Sequence, residues 1–190
     1  MIYFTSDLHF GHSNIIKLCN RPFATVEEMD RALMEGWNKK VKKCDTVYII
    51  GDIIWDKKLV EYYIIRLNGK KILIPGNHDH NWAKNTDYHK YFLQVTKYLE
   101  INLGGHPVTL CHYPMLEWRE SREERKTGYL IHGHIHNRVS EDYLPLYKSF
   151  NALNAGADIN GFVPVTFEEL VENNNKFKLR CLELLNQNGK

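Results

Sequence analysis

The chain has 190 residues, 43% hydrophobic and 12% aromatic, enough to bury a substantial core in a single domain, 1–190. A formal net charge of +2 gives no electrostatic footprint of the kind that marks a nucleic-acid or membrane-surface protein. Ten histidines are more than packing needs.

Cys19, Cys44, Cys111 and Cys181 lie far apart and form no Cys-x-x-Cys pair. That argues against a zinc finger or a redox motif, and for free, mostly buried thiols in a reducing compartment. The first seven residues have no basic n-region or long apolar core, so no signal peptide is expected. No apolar stretch approaches a membrane span. The expectation is a soluble, cytoplasmic protein without membrane contact.

Ile2–Ser6 reads as a short strand. Asp7 and His9 follow at i and i+2, so in an extended segment both side chains face one way and can hold one ion. Residues 10–14 form a loop and Ile15–Cys19 a short helix, broken at Arg21-Pro22. Thr25-Val26-Glu27-Glu28 is a capping box. Val26, Met29, Leu33, Trp37 and Val41 recur at helical spacing, which predicts a helix to about Lys43 with that stripe on a sheet. Thr46–Ile50 is a second strand, ending in Gly51-Asp52. Asp56–Leu67 reads as helix, Asn68-Gly69 as a turn and Lys71–Ile74 as a third strand.

The third strand runs into Pro75-Gly76-Asn77-His78-Asp79. Pro, Gly, Asn and Asp are ordinary turn residues. An amide oxygen can also bind a cation, and an imidazole can bind one or move a proton. Asp7/His9, Asp52 and Asn77/His78 thus each stand just after a strand. In parallel α/β sheets ligands bind beyond the carboxyl ends of the strands, so three such ends mark a site.

The second half changes character. Val95–Leu103 and Pro107–Cys111 read as strands joined by Gly104-Gly105, the composition of a hairpin, and His112 ends the second. In residues 113–127, Arg119, Arg122, Arg125 and Lys126 alternate with Glu117, Glu120, Glu123 and Glu124. This is either a lid that grips phosphate or, preferably, a solvated helix with i, i+4 pairs such as Arg119 with Glu123. Tyr129–His132 is a strand leading into Gly133-His134-Ile135-His136. His134 and His136 form another i, i+2 pair. Three ligands from one strand would span too far, so His132 is read as core or a support for the ligands. Ser149–Ala155 is a further strand. Thr166-Phe167-Glu168-Glu169 opens a short helix, and Phe177–Leu185 is a last strand or helix.

Taken in order, Asp7-x-His9, Gly51-Asp52, Gly76-Asn77-His78-Asp79, His112 and Gly133-His134-x-His136 resemble the calcineurin-like metallophosphoesterase family. Each block sits at a strand end, and the ordered set is far more specific than any one motif. The resemblance implies an α/β fold of two packed mixed β-sheets flanked by helices, an α/β/β/α sandwich. It implies two divalent transition-metal ions. Asp7, His9, Asp52 and His136 would hold the first. Asp52, Asn77, His112 and His134 would hold the second, with Asp52 bridging. His78 would be the catalytic histidine.

This arrangement has a physical rationale. Two cations about 3.5–4 Å apart can activate a bridging water and clamp the oxygens of an in-line phosphoryl displacement. A bridging ligand needs two oxygens, which a carboxylate has. Imidazoles favour Mn²⁺, Fe or Zn²⁺ over the oxygen-preferring Mg²⁺ and Ca²⁺, and Mn²⁺ is the expectation. His78 adjoins a ligand and can protonate the leaving oxygen. Asp79 can orient His78 or a ligand. The expected activity is hydrolysis of a phosphomonoester or phosphodiester by a metal-bridging hydroxide, on a small-molecule or nucleotide substrate.

Phosphoprotein phosphatases of this superfamily follow Gly-Asp with a Val-Asp-Arg-Gly type sequence and place an arginine before Gly-Asn-His. Here Ile53-Ile54-Trp55-Asp56 follows Asp52, and Pro75 precedes Gly76. Trp55 stands where an aspartate would orient the histidine, so a phosphoprotein substrate is not expected. His12, Asn14 and Arg21 are candidate phosphate contacts; the alternative is a solvated loop and a helix-ending Arg-Pro, preferred for Arg21. His80, His89 and His106 read as surface residues, and Trp37, Trp82 and Trp118 as packing. Two other functions compete. An idle scaffold for protein interaction would be expected to have lost ligands, and none is missing. A nuclease would use the same chemistry, but no basic tract indicates nucleic acid.

Overall fold

The computed structural model describes residues 1–84, 86–121 and 127–188. Two four-stranded sheets carry the chain. In the first, β1 (Ile2–Thr5), β2 (Thr46–Ile49), β3 (Lys70–Leu73) and β4 (Gln94–Val95) lie side by side in that order, all parallel. In the second, β5 (Tyr98–Leu103) and β6 (His106–Cys111) form the antiparallel hairpin. β7 (Tyr129–His132) and β8 (Ala152–Asn154) add in parallel. Mixed pairing is therefore confined to the second sheet.

Strand alternation decides the layering. Val47 and Ile49 of β2 join one buried cluster with Met29, Leu33, Trp37, Ile64 and Trp82. Tyr48 and Ile50 face the other way, into a cluster with Phe4, Val108, Leu110, Ile131 and Leu153. The first sheet therefore has helices on one face and the second sheet on the other. That is the expected sandwich, and an all-parallel sheet needs both faces covered.

α1 (Ser13–Leu18) follows the first loop. α2 (Val26–Lys40) starts at Thr25, whose hydroxyl accepts the Glu28 N–H at 3.2 Å; the Glu28 carboxylate accepts the Ala24 N–H at 2.8 Å. α2 ends before the predicted Lys43. Val41 is already extended, and the Asp45 carboxylate takes the Lys42 N–H at 2.7 Å and the N-terminal ammonium at 2.8 Å. The expected helix over 56–67 is a 3₁₀ turn, Lys57–Leu59, running into α3 (Val60–Ile64). α4 (His80–Ala83) is one turn, and α5 (Leu144–Lys148) precedes β8.

Three expectations are corrected. Val95–Leu103 is not one strand: Val95 ends β4 in the first sheet, and Tyr98 begins β5 in the second. The polar pair Thr96-Lys97 interrupts the apolar alternation where the chain changes sheet. The short helix opened at Thr166 and the last element over Phe177–Leu185, read as strand or helix, are one helix, α6 (Phe167–Asn188). Within it buried Asn174 donates to the carbonyls of Leu170 and Asn154 and accepts the Asn154 N–H at 2.7 Å. The Thr166 capping box forms as read, with the Thr166 N–H on Glu169 at 2.8 Å. The third concerns residues 113–121, which form turns rather than helix, and Arg119 pairs with Glu100 of β5 at 3.1 Å. Residues 122–126, with the proposed Glu123 partner, lie outside the described residues. Among the described residues no helix is long and apolar enough to cross a membrane.

Candidate active site

The loops after the strands of both sheets are drawn together by backbone hydrogen bonds. The Asp7 N–H reaches the Gly51 carbonyl at 2.9 Å, the His9 N–H reaches Asp52 at 3.0 Å, and the Gly133 N–H reaches His112 at 3.0 Å. Side chains then tie one sheet to the other. Asp7 accepts the His134 N–H at 3.0 Å, and His112 Nδ1 donates to the Ile50 carbonyl at 2.8 Å. Asp79 is fully buried and accepts the N–H groups of Asp52, Ile53 and Gly76 at 2.6, 3.1 and 3.0 Å. It fixes the backbone of two loops rather than the His78 ring.

The glycines of the motifs are there because side chains pass where a Cβ would be. A Cβ on Gly51 would lie 2.3 Å from His112 Nδ1, and one on Gly76 2.2 Å from Asp52 Oδ1. One on Gly133 would lie 2.0 Å from Ser6 Oγ and 2.4 Å from Asp7 Oδ2. The turns are also strained. Asp7, His9, Asp52, His134 and His136 have φ of 55°, 56°, 52°, 72° and 52°, the left-handed region that costs side-chain-bearing residues energy. Strain of this sort persists where surrounding structure over-determines it, and here it aims side chains at one point.

Those side chains form two clusters. Asp7, His9 and His136 converge in one; Asp52, His112 and His134 in the other, and within each the donor atoms lie within 4.8 Å of one another. Asp52 stands between them: its Oδ2 is 3.4 Å from His112 Nε2, 3.8 Å from His9 Nε2 and 3.9 Å from His78 Nε2. Asn77 Oδ1 lies 3.2 Å from His112 Nε2 and 3.0 Å from His134 Nδ1. His136 Nε2 lies 3.7 Å from Asp7 Oδ1.

The residues fit metal ions. Both ring nitrogens of buried His9 lack a hydrogen-bond partner, which is costly unless something else satisfies them. Two ligand atoms each about 2.1 Å from one ion stand roughly 3–3.5 Å apart, close to the separations above. Burial opposes charge on Asp52, but His112 and His9 outweigh it and hold the carboxyl down to about 2. Burial likewise opposes charge on His136, but Asp158 and Asp7 push it up to about 10. His9 has burial and His136 against its charge and is held far down, as a neutral ligand would be.

His78 is partly open to the cleft, its ring 4.6 Å from Trp55 and 5.3 Å from His9. His12 lies flat against Trp55, 3.7 Å apart and 6° from parallel, and its Nδ1 has no partner. Burial pushes His12 down to about 4, so its imidazole is neutral at pH 7. His12 and exposed Asn14 line the same cleft as His78.

Arg21 does not reach that cleft. Its guanidinium is buried, paired with Asp158 at 2.8 and 3.1 Å and bonded to the carbonyls of Leu8 and Asp7. It is removed from the candidate substrate contacts because no donor is left facing solvent. His132 is buried with Nδ1 on the Gly133 carbonyl, consistent with a supporting place. The indoles of Trp37, Trp82 and Trp118 donate to the carbonyls of Asn68, Ile54 and Gly128.

The model of the calcineurin-like phosphoesterase superfamily domain matches residues 1–159. The chain belongs to this superfamily. The family supports metal-dependent phosphoester hydrolysis in general terms. An uncharacterized protein of Methanocaldococcus jannaschii is 33% identical over 174 residues, covering 90% of this chain and 89% of its own length. The gene 66 protein of Mycobacterium phage L5 is 35% identical over 161 residues, 71% of this chain and 77% of that protein. A protein of unknown function from Aquifex aeolicus, known as a crystal structure, superposes with a TM-score of 0.68 at 29% identity, covering 90% and 98% of the two chains.

Two residues of the site escaped the sequence reading. Trp55 enters as a cleft wall rather than only as a replaced aspartate. Asp158 contacts His136 Nδ1 at 2.8 Å. The signal for Asp158 was present: it follows β8 by a few residues, in the same strand-end format as the other site residues.

Proposed function

We propose that this phosphoesterase hydrolyses a small-molecule or nucleotide phosphomonoester or phosphodiester by in-line displacement at a dinuclear centre. The observation that carries the reading is Asp52, whose carboxylate stands between two ligand clusters with His78 beside it in an open cleft. Asp7, His9, Asp52 and His136 would hold one divalent ion, and Asp52, Asn77, His112 and His134 the other. Mn²⁺ suits the mixed imidazole, amide and carboxylate donors, with Fe or Zn²⁺ as alternatives. Such a pair supplies a water nucleophile of lowered pKa and positive charge for the transferring phosphoryl group. His78 donates to the leaving oxygen or to the phosphoryl oxygens. His12 and Asn14 offer neutral polar groups near its outer edge.

The cleft supports a small ester over a phosphoprotein. Trp55, Ile15 and Ile135 give it an apolar wall next to His78, and Trp55 takes the place of the acidic residue found in phosphoprotein phosphatases. A flat leaving group stacks on such a wall. The test is a panel with Mn²⁺-loaded protein: an aryl phosphomonoester, an aryl phosphodiester, cyclic nucleotides, short oligonucleotides and a phosphoserine protein. Aryl or nucleotide esters should be turned over fastest. Faster turnover of the phosphoprotein than of every ester would defeat the substrate reading. No turnover with both ions bound would favour an idle scaffold.

A further inference from the structure

We infer that Asp158, fixed by Arg21, is a positioning residue for His136 and makes the Asp7/His9/His136 half the tighter of the two metal sites. The inference rests on the dinuclear reading above and adds an order to it. The Arg21 and Asp158 side chains are 0% and 1% exposed, and they meet as a fork, Nε to Oδ1 at 2.8 Å and Nη2 to Oδ2 at 3.1 Å. The same guanidinium donates to the carbonyls of Leu8 at 2.8 Å and Asp7 at 2.7 Å. One cation therefore holds both the Asp158 carboxylate and the backbone of a ligand residue. Bidentate, charge-assisted contacts of this kind fix orientation as well as adding energy.

Asp158 Oδ2 accepts from His136 Nδ1 at 2.8 Å. That contact would keep a proton on Nδ1 when an ion displaces the one on Nε2, the nitrogen 3.7 Å from Asp7 Oδ1. A carboxylate behind an imidazole raises its strength as a ligand and locks its ring. Among the described residues, no carboxylate stands behind a ring nitrogen in the other half. His112 Nδ1 rests on the neutral carbonyl of Ile50 at 2.8 Å. His134 is exposed, and its Nδ1 faces the Asn77 amide oxygen at 3.0 Å. Asp7 and His9 are buried where His134 and Asn77 are open to solvent. Both contrasts favour the same half.

The test uses metal-free full-length protein titrated with Mn²⁺ alone, followed by calorimetry and by the electron paramagnetic resonance of the first and second ions. Wild type is expected to fill one site before the other. Asp158→Asn, which keeps the shape and loses the charge, should weaken the tighter step by roughly 10–100-fold and leave the weaker step within about 2-fold. His134→Ala should remove the weaker step, and adding Asp158→Asn to it should weaken the step that remains by the same factor. If Asp158→Asn does not fold, Arg21→Lys carries the test, with a smaller loss at the same step because the fork is gone. Unchanged affinity at both steps overturns the inference. So does equal weakening of both, which is what a merely structural pair would produce. A wild-type chain that takes up no Mn²⁺ overturns the dinuclear reading as well, and is told apart by the absence of either step.

Discussion

Gly133→Ala tests how closely the two sheets are locked at the site. The new Cβ would stand 2.0 Å from Ser6 Oγ and 2.4 Å from Asp7 Oδ2, where ordinary contact begins near 3.4 Å. Relief therefore requires about 1.4 Å of movement at Ser6 and about 1.0 Å at Asp7, from those same contacts. Neither side chain can simply swing away. Ser6 Oγ donates to the Ile50 carbonyl, and Asp7 accepts the His134 N–H. Overpacking of this kind costs about 1–3 kcal/mol, and a lost hydrogen bond to a charged group about 1.5–3 kcal/mol. The sum is roughly 2.5–6 kcal/mol, a large share of the ~5–15 kcal/mol that holds a typical domain together. At about 2–4 °C per kcal/mol for a chain of this size, Tm should fall by roughly 5–24 °C. Urea unfolding and a thermal scan of metal-free protein read the loss, and Mn²⁺ titration should show the Asp7 half weakened. Gly104→Ala is the control: no atom lies within 4 Å of its Cβ position, and only its φ of +57° resists, so about 1 kcal/mol is expected. If Gly133→Ala matched the control in stability and kept metal affinity, the claim that backbone proximity at Gly133 shapes the site would be wrong.

His78→Ala should lower kcat by ~10²–10⁴-fold with both ions still bound, with less loss for a nitrophenolate leaving group that needs little protonation; undiminished kcat on every substrate would take His78 out of the mechanism. Asp52→Asn should lose metal as well as activity, since Asp52 faces both clusters, and elemental analysis showing two ions retained would contradict its bridging place. Lys178 is buried with its ammonium on the Ser149 carbonyl at 2.7 Å, and burial lowers it from 10.5 to about 8. The folded chain thus sheds this proton first as pH rises, and the unfolded chain binds more protons between about 8 and 10.5, so stability from this group increases across that window. Lys178→Met should flatten the rise between pH 8 and 10 in urea unfolding; parallel curves for the two proteins would refute the assignment.

The order Asp7, His9, Asp52, Asn77, His78, His112, His134, His136 was legible in the chain because each residue follows a strand. A strand end is a local event, written in an apolar run and the glycine that stops it. The two-sheet class came with the family resemblance that these blocks carry. Boundaries were less legible where a distant partner decides them. α6 runs unbroken through Asn174, whose amide finds Asn154, and the change of sheet between Val95 and Tyr98 is marked locally by nothing stronger than the polar pair Thr96-Lys97. Arg21 read as a helix-ending Arg-Pro in preference to a phosphate contact, and neither reading names what it binds. Its partner Asp158 lies 137 residues away, and nothing local foretells a salt bridge at that separation. The donor types were thus fixed by local sequence. Tertiary structure alone decided which imidazole has a charge behind it and which cation is buried rather than free, because each depends on a contact between segments that meet only when the sheets pack.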